Sequence, residues 1–295
     1  MTTTRVGCVF RPQFAPETLA AAARAADAAG LDELWLWEDC FLSGGVSSAA
    51  IALANSQRLT VGVGVLPVPL RNVALTAMEI ATLCRSFPGR VRVGLGHGVQ
   101  DWMAQIGEKV ASPMTLLREH LSALRLLLDG QEVTVEGRYV KLDGVKLDWP
   151  PQAGVELLCA AGGPKTLALS GELASGTVIT GGTSPDGLAA AMPHVRAGLA
   201  LRPEPASHSV VAYVQCALGA DAKSRALQEL QVWGFDVDAD LAAYGTPDEV
   251  AAAAGRWVQA GADTIVFQPG PDVDVVDFVT DIAVQVQPLM NRTSR

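Results

Sequence analysis

The sequence predicts an α/β fold, a (β/α)8 TIM-like barrel with insertions. Three observations point there. Short β-type runs alternate with longer Ala/Leu-rich helical stretches from one end of the chain to the other. Eight such runs fall within 295 residues, the size and rhythm of a parallel barrel. The turn after the first run reads FRPQFAPE and carries no GxGxxG, which argues against a dinucleotide-binding doubly wound sheet, the next-best architecture.

Taken in order, strands are expected at 5–10, 32–37, 59–66, 90–96, 155–161, 176–180, 208–217 and 263–268. Their near-continuous Val/Ile/Leu content suits parallel strands covered on both faces. Trp35 and Trp37 alternate with Leu34 and Leu36, so both faces of the second strand are apolar and Trp35 reads as core packing. Helices are expected at 16–29, 46–55, 72–86, 114–129, 164–174, 185–200, 222–231, 247–260 and 274–288. Thr246-Pro247-Asp248-Glu249 is a clear helix start: a capping hydroxyl, a proline in the first turn, then acidic residues. Residues 130–153 interrupt the rhythm as a hairpin or irregular excursion, and 232–245 form a second irregular piece. Residues 1–295 are otherwise expected to form a single barrel domain.

Composition narrows the function. Net charge is −9 without a Lys/Arg cluster, which disfavours nucleic acid and anionic membrane surfaces as partners. No uncharged apolar run reaches roughly 18 residues, and the start MTTTRVGCVF lacks signal-peptide architecture, so a soluble cytoplasmic protein is expected. The five cysteines are far apart and the four histidines show no metal-ligand spacing, so no metal site is expected.

In barrels of this type the chemistry lies at the C-terminal strand ends. Those tips carry Glu38, Asp39, Cys40 and Phe41 after the second strand, Gly64-Val65-Leu66 after the third, Gly96-His97-Gly98 after the fourth, and Thr180-Gly181 after the sixth. Asp39 is placed to anchor a ligand or act as acid or base, whereas Glu38 reads as a helix cap or surface charge. Glycines on both sides leave His97 open to a ligand. Trp37 and Trp102 are either aromatic walls for a flat ligand or core packing.

The most informative turn follows the fifth strand. Ala160-Ala161-Gly162-Gly163 leads into Pro164, which suits a first helical position because its missing N–H would be unpaired there. Two residues without Cβ let backbone amides approach a ligand, and the positive end of the helix dipole favours an anion.

Taken together, GLDELWLWEDCF, RVRVGLGHG, PMTLLREHLSAL and AAGGPKTLALSGELASGTVI resemble the bacterial luciferase-like superfamily, and within it the F420-dependent oxidoreductases. The likeness runs over nearly the whole chain. It implies a hydride transfer between coenzyme F420 and a small organic substrate, in an enzyme commonly a homodimer, with helices 46–55 and 72–86 apolar enough to join copies. It also implies a non-prolyl cis peptide at Gly64-Val65 beside the cofactor ring. The cofactor tail would lie along Ala160–Thr166. The implied cofactor contacts are Asp39, Gly64, Val65, Leu66, Gly96, His97, Gly98, Ala160, Ala161, Gly162, Gly163, Pro164, Thr180 and Gly181; the catalytic candidates are Asp39, Cys40 and His97. Relatives with a histidine after this aspartate contrast with Cys40 here, and a thiol titrating near 8.5 is no direct substitute for imidazole. Sugar-phosphate-oxidising relatives carry a glutamate where this chain has Val99. The alternatives are an FMN-dependent luciferase-like monooxygenase and a cofactor-binding protein without turnover. A barrel aldolase or lyase would need a strand-end lysine, and Lys165 sits in a helix turn instead.

Overall fold

In a computed structural model describing residues 4–293, eight parallel strands close on themselves. They are β1 (Arg5–Val9), β2 (Glu33–Leu36), β3 (Thr60–Pro67), β4 (Val91–Gly96), β7 (Glu156–Ala160), β8 (Gly176–Ile179), β9 (Ser209–Leu218) and β11 (Thr264–Gln268). Closure is completed by β8 against β9 and β11 against β1. All eight expected strands are present, and the fold is a TIM barrel. Helices α1 (Leu19–Ala29), α2 (Gly45–Ala54), α3 (Val73–Ser86), α5 (Pro113–Leu128), α6 (Pro164–Leu173), α7 (Pro185–Leu199), α8 (Ala222–Val232) and α9 (Pro247–Ala260) fill the connections. The Thr246 start signal is realised as a capping box with Glu249.

Three local features differ from expectation. A short helix, α4 (Gln100–Gln105), follows β4. The expected helix over 274–288 is α10 (Val275–Asp281), a π-helical turn at Ile282–Val286, and α11 (Gln287–Thr293). The irregular piece ends in β10 (Ala242–Gly245), which pairs with the far half of β9 outside the barrel. The 130–153 excursion contains the antiparallel pair β5 (Val133–Glu136) and β6 (Lys141–Val145). Among the described residues no helix is long and apolar enough to cross a membrane.

The barrel interior is layered. At the N-terminal end, buried Arg92 bonds both oxygens of buried Glu33 at 2.9 Å and grips Glu156 at 2.7 and 3.0 Å. Above this ionic plug lies an apolar layer of Val9, Trp35, Leu158, Val178, Val211, Tyr213 and Val266. Trp35 is fully buried, as its strand pattern implied, and its Nε1–H donates to Glu33 at 2.7 Å. Its ring crosses β3 so closely that a Cβ on Gly62 would sit 2.4 Å away. The C-terminal end above this layer is left open.

Candidate active site

A cavity of about 450 Å3 occupies that open end. Of the sequence-derived residues, Asp39, Gly64, Val65, Gly96, His97, Gly98, Ala160, Ala161, Gly162, Thr180 and Gly181 line it. Strand tips separated by more than a hundred residues therefore converge on one space. A second hollow of about 550 Å3 opens at the opposite end, beside Asp27, Asp32, Glu33 and Arg58. Its acidic groups Asp27 and Glu33 are occupied in holding the fold: Asp27 accepts from the backbone N–H groups of Gln57, Arg58 and Leu59, and Glu33 pairs with Arg92. In this fold that end serves stability, so the C-terminal cavity is the site.

The wall formed by β3 is shaped by a break in register. Pairing with β4 shifts between Val63 and Leu66, and the Gly64-Val65 peptide is cis. This turns Val65 into the barrel, where Cβ atoms on Gly94 or Gly96 would lie 2.6 and 2.7 Å from its methyl groups. The glycines of the VGLG run thus make room for one side chain. Leu66 corrects the expectation: the shift aims it outward, its side chain is buried in the main core, and it does not line the cavity.

His97 follows β4. Its Nε2 lies 3.2 Å from the Thr166 hydroxyl in the first turn of α6, while Nδ1 is shut from solvent without a partner at hydrogen-bond geometry. Burial lowers its pKa; the nearby Pro113 carbonyl, favouring the charged ring, pulls the other way without reaching a geometrically sound bond. The imidazole is therefore neutral near pH 7, with a ring nitrogen still to be satisfied.

After β2, Asp39 accepts from the Trp37 indole at 2.9 Å. Burial raises its pKa, opposed by that bond, by Gln13 and by the charge of Arg11. Glu38 is engaged structurally, as a cap-like role predicted: Arg71 donates at 2.6 and 3.2 Å, and the Gly45 amide at the start of α2 donates at 2.7 Å. Cys40 does not line the cavity, and its thiol pKa is raised by burial and by Glu38 and Asp39. The thiol is thus held toward its protonated form, outside the cavity lining.

Gly163 and Pro164 also stand outside the lining, at the start of α6. No side chain caps that helix, so its first-turn N–H groups lack intrahelical partners. A Cβ on Gly162 or Gly163 would meet nothing within 4 Å, and neither has a positive φ. Neither packing nor backbone geometry demands glycine there. The open space beside those amides and the helix dipole is of the kind an anion can occupy.

Pro67, at the tip of the third strand, also lines the cavity, and sequence reasoning missed Tyr213, Trp233, Phe235 and Gln268. Val99 lines the rim, and Trp37 and Trp102 prove to be cavity walls. A polar residue ending an apolar run, as in TIVFQ, is the signal that could have found Gln268. Trp233 is oriented from behind: its Nε1–H donates to buried Glu229 at 2.7 Å, and Glu229 is paired with buried Arg11 at 2.7 Å. Phe235 lies over Gly182, where a Cβ would come within 2.5 Å of its ring.

The family model for luciferase-like monooxygenases matches residues 2–235. The chain is 30% identical over 259 residues to a 5,10-methylenetetrahydromethanopterin reductase of Methanolobus tindarius, covering 87% of this chain and 77% of that one. It is 29% identical to an F420-dependent glucose-6-phosphate dehydrogenase of Kineococcus radiotolerans, covering 94% of each. Among solved structures, an F420-dependent secondary alcohol dehydrogenase in complex with an F420-acetone adduct superposes with a TM-score of 0.88 at 20% identity, covering 98% of this chain and 99% of that chain. The F420-dependent tetrahydromethanopterin reductase of Methanopyrus kandleri gives 0.83 at 20% identity, with the same coverage. At that identity the structural likeness concerns the fold.

Proposed function

The chain belongs to the luciferase-like monooxygenase family, and within it we propose an oxidoreductase that transfers a hydride between coenzyme F420 and a small organic substrate. The observation that carries this reading is the amide cradle at Ala160–Gly163. Its Ala160–Gly162 stretch lines the same cavity as the Val65 wall and His97, and a Cβ on Gly162 or on Gly163 next to it would meet no protein atom within 4 Å. Relatives named as F420-dependent support the choice of cofactor.

The residues present fit that group. The amides at the start of α6, with Thr180 and Gly181, would hold its anionic tail, and the Gly64-Val65 wall and His97 would border its ring. When bound, F420 supplies hydride chemistry at its C5 position. The chain's own part is placement, exclusion of water and proton handling. Neutral His97, a lining residue whose Nε2 lies beside Thr166, is one candidate to take or return the substrate proton. Asp39, whose raised pKa suits acid–base work, is the other candidate.

We further propose one barrel domain with two excursions, residence in the cytoplasm and assembly as a homodimer. Five unpaired cysteines support the cytoplasm. Exposed Ile51 on α2 and Leu75 and Met78 on α3 support a dimer face. Fluorescence-quench titration of the purified protein with F420 and FMN tests the main reading. Preferential F420 binding is expected; tight FMN binding with oxygen-dependent turnover would place the chain among flavin monooxygenases, and F420 binding without turnover on any acceptor would make it a carrier.

A further inference from the structure

The walls of the cavity away from the glycine cradle speak to the substrate. Aromatic side chains dominate them: Trp37, Trp102, Trp233 and Phe235. No Lys or Arg is among the described lining residues. Two carboxylates stand there instead, and neither is short of a partner. Glu38 is held by Arg71 and the Gly45 amide, and Asp39 by Trp37. The guanidinium just behind the wall, Arg11, is 4% exposed and engaged by Glu229 and the Pro269 carbonyl.

A phosphate or carboxylate brought into such a space would lose water without gaining a cation, beside groups of its own sign. An uncharged hydrocarbon skeleton would gain from large, rigid aromatic faces. Its single carbonyl or hydroxyl would share the cavity with the polar lining residues His97, Asp39 and Gln268.

We propose that the substrate is an uncharged, largely hydrocarbon alcohol, ketone or enone, and that Trp233, fixed by Glu229, is the wall that selects it. This rests on the F420-dependent reading of the site given above. Glu229 acts through the indole and is a positioning residue. The bond from Nε1 holds the ring at one angle, and the Glu229–Arg11 pair keeps Glu229 from turning toward the cavity. The selecting wall thus comes from the end of α8 and the excursion after it. The proton and cofactor residues come from other strand tips, so ligand choice and chemistry are separable by substitution.

The test is calorimetric titration of the F420-loaded protein with cyclohexanone, cyclohexenone and acetophenone, against benzoate and glucose-6-phosphate. Acetophenone and benzoate are similar in size and differ in charge. At least one neutral probe should bind, and each anion should bind at least tenfold more weakly than it. Trp233→Ala should weaken the neutral probe several-fold with F420 affinity unchanged, and Trp233→Phe should restore part of the loss. Glu229→Gln should weaken the probe in the Trp233 background but add little to Trp233→Phe, which has no N–H to position; a purely structural role would weaken both backgrounds alike. Anion binding at comparable affinity, failure of every neutral probe, or an indifferent Trp233→Ala would each overturn the proposal. Failure to bind F420 would instead sink the functional reading, and the same titrations on the ligand-free protein would still decide this one.

Discussion

The Tyr213 hydroxyl donates to the Gly64 carbonyl at 3.2 Å, joining the floor of the cavity to its β3 wall. A Cβ on Gly64 would lie 2.2 Å from that oxygen, so the two residues fit only as they are. Tyr213→Phe should cost about 1–2 kcal/mol by leaving a buried carbonyl unsatisfied. Gly64→Ala should cost about 1–3 kcal/mol through overpacking. Because removing the hydroxyl also removes the nearest clash, the double variant should be more stable than the sum predicts. Urea unfolding of the four proteins gives the coupling directly.

Gly162→Ala and Gly163→Ala should leave the unfolding midpoint unchanged, since the added methyl meets no protein atom. Both should weaken F420 binding by about tenfold, or ~1.4 kcal/mol, by occupying the cradle. Equal F420 affinity in the variants would show that the tail lies elsewhere.

Two candidate proton acceptors can be separated by substitution, read through the pH profile. Burial lowers the His97 pKa from 6.5 and raises that of Asp39 from 3.8, so each acts as base only above its own displaced value. If alcohol oxidation is followed, the acid limb of kcat/KM should fall between those figures. It should vanish in His97→Asn if the imidazole is the base, and in Asp39→Asn if the carboxylate is.

His120 supplies a separate acid sensitivity. It is buried in α5, with Nε2 unpartnered, and burial, aided by the Arg71 charge, pushes its pKa down to about 4. The folded protein resists protonating it while the unfolded chain, near 6.5, does not. Its contribution is therefore complete above pH 6.5 and is lost as pH falls toward 4, by roughly 3 kcal/mol at 1.36 kcal/mol per unit. His120→Leu should flatten the decline of stability across that window, measured by denaturant midpoints.

The ionic plug should be unforgiving. Arg92→Met leaves Glu33, fully buried, with the half-exposed Arg5 as its one cationic partner among the described residues, and should cost about 3–5 kcal/mol. Arg92→Lys should recover little, because an ammonium cannot grip Glu33 and Glu156 together as the guanidinium fork does. Chemical denaturation checks both.

The barrel was legible because its signals are local: each barrel strand is an apolar run of the right length, and several helix starts carry their own capping chemistry, as at Asn72, Ser184, Thr246 and Asp274. The glycine cradle and His97 were legible for the same reason, as turn residues at strand tips. The rest depends on direction, which composition does not encode. Tyr213 sits within VVAYVQCAL, and nothing in that run says which residues face the barrel axis. Leu66 was misplaced because a register break reverses the in–out alternation at Val65. Trp233 lies in a segment without periodicity, and its aim is set by Glu229 and Arg11, the latter more than two hundred residues away. Four-residue β10, Ala-Ala-Tyr-Gly, lacks the branched residues that announce a strand.

Val65 fills the space that Gly94 and Gly96 leave vacant. Mutational drift at these three positions is consequently interlocked: a larger residue at 94 or 96 is viable only after position 65 shrinks, and the reverse order is blocked. Descendants of this chain that reshape the cavity from β3 must therefore pass through a variant with a temporary void.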